Sequence, residues 1–471
     1  MAYIQRARQG ALAAALALCF DATARGATIP VDDPGTDSIP GKCTLPDAVA
    51  ALNTATAVNA CIAGDGNGDT ISLRAFTAPT TISFTQATSA DGLSAIGLTR
   101  EARLIGPLGA DGKPLVTIAR NTSPGTPKFR VIGTTALLAI DGLAITGGDS
   151  TERGGGIAQL ASDLSYQYLR IVNSVISGNT TALSGGGVSF DCATTLIHAS
   201  TIRNNTAQHD GGGVYSTSKG GPYDCYTTLS VARSTIADNT ASADGGGISQ
   251  FAGEQFIAYT TISGNTAARG AGIYAYGNWM MTNATITGNV ASVSAGAIYS
   301  PGSAAYMTSA TVAGNSCSDP NAPGGIVSGH MHSDASIVRG NTGVDLQVTS
   351  LSGTYFLSGS NNIIHAPQTP NTAVNTLDCD PLLGPLADNG GATQTMSLGT
   401  GSCAIDAGPA LPAVGFVTLE TTRTDQRGAH YLRLSGNAVD IGAFETQPNE
   451  RIFTDAFQLD AVPAMFFPPT L

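Results

Sequence analysis

Seven asparagines recur at nearly even intervals through the middle of the sequence: Asn179, Asn205, Asn239, Asn265, Asn289, Asn315 and Asn341. Their spacings are 26, 34, 26, 24, 26 and 26 residues, and the long one holds an extra loop around Lys219 to Cys225. Three residues before each Asn stands a β-branched residue: Ile176, Ile202, Ile236, Ile262, Ile286, Val312 or Val338. Two residues earlier again is Ser, Thr or Ala. Residues two apart on a strand point to one side, so this pair must face inward.

The second half of each unit opens on a glycine cluster: 154–156, 185–187, 211–213 and 245–247, loosening to Gly270-Ala271-Gly272 and Ala295-Gly296-Ala297. Ile or Val follows directly at 157, 188, 214, 248, 273 and 298. Glycine admits positive φ and close backbone approach, so each cluster marks a tight corner leading into another strand. A third strand fits before the next Ser/Thr-Ile. Three short strands per turn of about 26 residues, one equivalent residue per turn and no helical periodicity describe stacked coils. Parallel crossovers favour the right hand. The fold class is therefore all-β, a right-handed parallel β-helix, and its Asn column should form a ladder of mutually satisfied amides. A solenoid exposes an edge at each end, so an N-terminal helical cap and a C-terminal capping region are expected. Thr44-Leu45-Pro46-Asp47 reads as the start of that helix, with Leu45, Val49 and Leu52 on one side.

The glycine and Ile-x-x-Asn pattern resembles the right-handed parallel β-helix proteins related to bacterial polymorphic outer-membrane proteins, with Ile standing in place of Phe. Cys43-Thr44-Leu45-Pro46-Asp47-Ala48 is similar to their Cys-Ser-Leu-Arg-Glu-Ala motif. Asp380 to Gly391, Ala404-Ile405-Asp406-Ala407-Gly408, Asp425-Gln426-Arg427-Gly428 and Asp440 to Glu445 resemble the choice-of-anchor Q domain. The resemblance implies an extracellular or surface location and specifies no reaction. The organisation expected is a signal peptide at 1–24, a cap at 25–69, repeats at 70–365, a choice-of-anchor Q-like region at 366–445 and a tail at 446–471.

Arg6 and Arg8 precede the apolar run Ala11 to Phe20, and Ala22 and Ala24 supply the small residues of a cleavage site, as in a secretory signal peptide. That run is about half the ~20 residues a spanning helix needs, so no transmembrane segment is expected in the mature chain. Lys and Arg number 22 against 34 Asp and Glu, a net charge of −12. This balance excludes a nucleic-acid partner held by phosphate contacts. Cleavage leaves seven cysteines in a disulfide-permissive compartment. Cys43–Cys61 closes if the helix stops near Asn53, Cys192 and Cys225 occupy equivalent places on neighbouring coils, and Cys379 and Cys403 bracket the C-terminal region. Cys317 is left free.

Two sets of candidate functional residues emerge. Outward positions following the glycine corner carry Tyr215, Phe251, Tyr274, Tyr276 and Tyr299, an aromatic strip interrupted at Ser249 that would seat a glycan or a surface protein. The leading expectation is thus a secreted or cell-surface protein without enzymatic activity, either adhesin-like and binding or structural, with the aromatic pairs then serving only to stabilise the sheet. The alternative is a polysaccharide-active enzyme, a uronate lyase or glycoside hydrolase, with Asp210 and Asp244 before the glycine clusters and Asp238 and Arg203 in the neighbouring turns. No cofactor is implied. No metal site is expected either: Asp65-Gly66-Asn67-Gly68-Asp69 lacks the acidic residue that closes a calcium loop. His330, His332 and Asp334 share a strand face but spread over ~13 Å, too far for one ion, and read as surface positions. Oligomeric state is not legible.

Overall fold

The computed structural model describes residues 26–160, 167–218, 225, 227–349, 356–365, 372–409 and 423–447. The expected signal peptide at 1–24 and the tail beyond 447 lie outside the described residues. The chain is a right-handed parallel β-helix whose strands fall into three long walls. One wall runs through Leu138–Asp141, Gln167–Val172, Ala193–His198, Thr228–Ala232, Glu254–Ala258 and Asn278–Thr282. The second carries the repeat isoleucines in Val175–Ser177, Thr201–Arg203, Thr235–Ala237, Thr261–Ser263 and Thr285–Thr287. The third follows the glycine clusters through Ile157–Gln159, Val188–Asp191, Val214–Thr217, Ile248–Gln250 and Ile273–Ala275.

The sequence predicts three strands per coil; the structure adds a short fourth. Asp149–Ser150, Thr180–Thr181, Thr206–Ala207, Thr240–Ala241, Thr266–Arg269, Val290–Ser294 and Ser316–Cys317 form a separate seven-stranded parallel sheet. Strands this short, most of them two residues long, leave no periodicity to read.

The Asn column forms the expected ladder. Asn205 Nδ2 donates to Asn239 Oδ1 at 3.0 Å and to the Ile176 carbonyl at 3.0 Å, while Asn239 Oδ1 also accepts the Asn205 backbone N–H at 3.0 Å. The same set repeats from Asn179 to Asn341, where Asp345 Oδ1 takes the final Nδ2 at 2.8 Å. A parallel ladder of Ser174, Ser200, Ser234 and Thr260 hydroxyls accepts backbone N–H groups at the neighbouring corner. The inward Ile and Val side chains stack beneath these ladders with no exposure, each contributing roughly 2–3 kcal/mol of apolar burial.

Glycine at the corner is required twice over. Gly211 has φ +63°, and a Cβ on Gly212 would lie 2.5 Å from the Thr240 carbonyl and 2.6 Å from the Gly246 carbonyl of the next coil. Gly212 and Gly213 are already rungs, donating to Gly245 and Gly246.

At the N-terminal end the helix Leu45–Thr54 is capped by Thr44, whose hydroxyl accepts the Asp47 N–H, and it stops at left-handed Ala55. Leu45, Ala48 and Leu52 join the main core, and Asn53 ties the helix to the first coil through the Gly97 carbonyl and the Thr99 N–H. Thr28–Pro30 pairs with Asp69–Ser72 as the first rung. Cys43–Cys61, Cys192–Cys225 and Cys379–Cys403 are bridged with Cα separations of 4.7, 5.4 and 6.6 Å, and Cys317 is free and buried.

The C-terminal region folds back along the flank of the last coils. Gln426 donates to Thr261 Oγ1 and accepts from Thr285 Oγ1, Asn283 donates to the Thr424 carbonyl, and Ala443 donates to Thr311 Oγ1. Ile337, Ile363, Ala404 and Ile441 pack between flank and coil. Among the described residues no helix is long and apolar enough to cross a membrane.

Candidate functional site

The aromatic set and two members of the other set, Asp210 and Asp244, meet on one face of the third wall. Tyr215, Ser249, Tyr274 and Tyr299 are in register across successive coils. The gap at Ser249 is closed by Phe251 from two residues further along, so the strip is continuous and not interrupted as the sequence implies. Its ring centroids are 5.9 Å from Tyr215 and 5.6 Å from Tyr274, and Tyr274 stacks on Tyr299 at 5.7 Å.

The strip is also less open than an outward register suggests. Tyr215 is 7% exposed and Tyr274 6%, because guanidinium groups lie over them; Tyr276 alone stands out, at 59%. Arg153 sits 5.5 Å from the Tyr215 centroid, and Arg269 sits 5.6 and 5.5 Å from Tyr274 and Tyr299. Cation–π contact and ring stacking explain the burial. Neither arginine was singled out from the sequence. The signal was present: the residue before each glycine corner reads Arg153, Ser184, Asp210, Asp244, Arg269, Ser294, one column holding both signs of charge.

Each guanidinium is held by a carboxylate. Arg269 forks onto Asp244, Nε to Oδ1 at 2.8 Å and Nη2 to Oδ2 at 2.7 Å. Arg153 Nη1 donates to Asp191 Oδ1 at 3.1 Å. Asp210 Oδ1 accepts the Asp244 N–H at 3.1 Å. The Asp244 hydrogen bonds hold the Arg269 guanidinium above its ordinary range. Burial pushes the Asp210 carboxyl up, with the neighbouring Asp244 charge adding to it. Burial and then the Asp244 charge push the Tyr274 hydroxyl up to about 12.

Asp238 and Arg203 do not join this group. Both are exposed at the end of the second wall, and the short fourth strand separates them from the Asp210 and Asp244 corner. The Asp65–Asp69 segment is a turn: Asp69 Oδ1 accepts the Ala27 and Asp65 N–H groups and Oδ2 that of Gly66. Burial acts to raise the Asp69 carboxyl, and these hydrogen bonds outweigh it and lower it.

No family model and no curated protein matches the chain. A solved structure is similar. It is described as the crystal structure of pectate lyase Pel9A, with a TM-score of 0.44 and 12% identity over 90% of this chain and 97% of that chain.

Proposed function

We propose that this chain is a secreted or cell-surface β-helix that binds a glycan along the aromatic and guanidinium face without cutting it. The observation that carries this reading is that both guanidiniums of the face are held by carboxylates. Arg269 occupies both oxygens of Asp244, and Arg153 is engaged by Asp191. A carboxylate committed to a fork cannot double as a proton acceptor without breaking it. The face therefore presents flat rings with a fixed polar rim, suited to stacking and hydrogen bonding. Two guanidiniums against Asp191, Asp210 and Asp244 leave it without excess positive charge, which favours a neutral glycan over a polyuronate. Three disulfides accord with an exported protein.

The alternative, a polysaccharide lyase or hydrolase, is favoured by one observation, the raised Asp210 carboxyl beside Asp244. The two readings separate in one experiment: immobilised neutral and acidic polysaccharides are incubated with the chain, and retention and product release are both measured. Binding predicts retention on a neutral glycan, weakened at least roughly fivefold by Tyr276→Ala with Tyr299→Ala, and no product. Product release abolished by Asp210→Asn would establish the enzyme instead. Tyr274 is the wrong target, since it is buried between Phe251, Tyr299 and Arg269 and its loss would disturb the coil.

A further inference from the structure

A second cluster lies on the first wall of the last coils, on residues the binding reading does not use. In Ile326–Asp334 the side chains of His330, His332 and Asp334 alternate outward while Met331 and Ser333 are buried. On the next coil Ser358 stands in register with His332. His332 Nδ1 lies 2.8 Å from Ser358 Oγ, and His332 Nε2 lies 2.8 Å from Asp334 Oδ2. The other carboxylate oxygen, Asp334 Oδ1, accepts the Ser360 N–H at 2.8 Å and the Ser360 hydroxyl at 3.1 Å. Tyr306, on the preceding coil, packs against the imidazole with centroids 6.1 Å apart.

This is a nucleophile, a base and an orienting carboxylate in one hydrogen-bonded line, each held by a rigid strand. With the imidazole proton on Nε2 directed at Asp334, the Nδ1 lone pair faces the Ser358 hydroxyl. His332 is 42% exposed along its side chain and Ser358 partly exposed, so a substrate reaches the line from solvent. Immediately after Ser358, Gly359 has φ +115°, which bends the strand there.

We propose that Ser358, His332 and Asp334 form a hydrolytic relay for short-chain acyl esters carried on an extended molecule. Ser358 Oγ attacks the ester carbonyl and passes its proton to His332 Nδ1; the C–O bond to the alcohol breaks and the leaving oxygen takes that proton. Water then attacks the acyl-serine, giving a proton to His332 as its oxygen bonds the acyl carbon. The Oγ–C bond breaks and Ser358 recovers the proton. The net reaction is ester plus water to acid plus alcohol. Asp334 touches no substrate atom and is a positioning residue. The substrate is extended because the relay lies on an open wall: Tyr299 of the aromatic face and Tyr306 beside His332 share the strand Ile298–Thr308, no more than about 24 Å apart. The relay itself does not depend on the binding reading; only the extended carrier rests on it.

The test uses the purified chain with its disulfides intact, a fluorophosphonate serine probe read by peptide mass spectrometry, and p-nitrophenyl acetate hydrolysis. A phosphonyl adduct on Ser358 is expected, abolished in Ser358→Ala and slowed at least about tenfold in His332→Ala. Acetate release falls in the same order, and Asp334→Asn lowers it while leaving the melting curve in place. The proposal is overturned if the unaltered chain carries no adduct at Ser358, if the adduct forms equally fast in His332→Ala, or if hydrolysis is unchanged in Ser358→Ala. The adduct is read on the unaltered chain, so a folding defect in a variant cannot mimic failure.

Discussion

The repeat coils and the C-terminal flank bury polar groups by opposite means. Inside the coils the buried side chains that span from turn to turn are amides and hydroxyls, with Asn205, Asn239, Asn265, Asn289 and Asn315 wholly inaccessible. None of those amides and hydroxyls titrates. The flank instead buries ions. Arg427 donates to Asp425 at 2.9 and 2.7 Å and is sandwiched between the Tyr431 and Phe444 rings at 3.8 and 3.9 Å. Arg433 is buried against Asn283 and the Gly442 carbonyl, and burial lowers its guanidinium from the ordinary range. Burial pushes Glu445 up to about 8, with Asp440 adding repulsion, and Asp440 is itself raised. A repeating neutral network transmits register along the molecule, whereas an ionic cluster fixes one docking geometry and makes it depend on protons.

The largest effect should come from breaking the ladder in its middle. Asn239→Leu strips the Asn205 amide and backbone N–H of their acceptor and the Ile202 carbonyl of its donor. A loss of about 3–5 kcal/mol is expected in denaturant unfolding, equal at pH 5 and pH 8. A pH-dependent loss would show that the ladder is coupled to the ionic flank.

The strongest proton dependence should appear in the flank. Glu445 binds its proton more tightly when folded than its ordinary value of 4.5 implies, so stability is complete at low pH and is lost as pH rises through about 8. Hydrogen exchange of residues 425–445 should accelerate over that window while the coils stay protected, and Glu445→Gln should flatten the profile. Acceleration toward low pH would reverse the assignment.

The smallest effect tests whether the coil interior tolerates polar groups outside the ladder. Gln255 is buried in the column of Leu229 and Trp279, and neither amide atom has a hydrogen-bond partner among the described residues. Gln255→Leu should stabilise the chain by about 1 kcal/mol, read as a raised melting temperature. Destabilisation would mean that the amide is satisfied in solution.

The repeat made the coils legible because Ile, Asn and Gly sit where inward packing, amide pairing and carbonyl approach admit few substitutes. The strand pairings of Ile202, Ile236 and Ile262 and the bridge between Cys192 and Cys225 follow from position within the period. The gap at Ser249 was misjudged because the Phe251 ring, two residues off register, can still reach across; backbone parity does not fix where a long side chain lands. Arg269 was overlooked because its column was read for one sign of charge only. Ser358 follows His332 by 26 residues, one repeat, yet it lies beyond the last Asn of the pattern, where the period is no longer marked. The flank has no repeat, so the hydrogen bonds of Arg433 to Asn283 and Ser309 had no sequence signal to follow.

The amide ladder also has a direction. Every Nδ2 points toward the following coil, so the dipoles add head to tail and the donor end arrives at Asn341. There Asp345 receives both the backbone and side-chain N–H of Asn341, an anion meeting the donor end of an aligned series. A carboxylate has no N–H to pass on, so the series terminates. New turns can be spliced between Asn179 and Asn341 with each join chemically identical to the last, whereas a turn appended after Asp345 meets a donor-less side chain. Growth and shrinkage of this solenoid by whole units is thereby confined to one side of a punctuation mark.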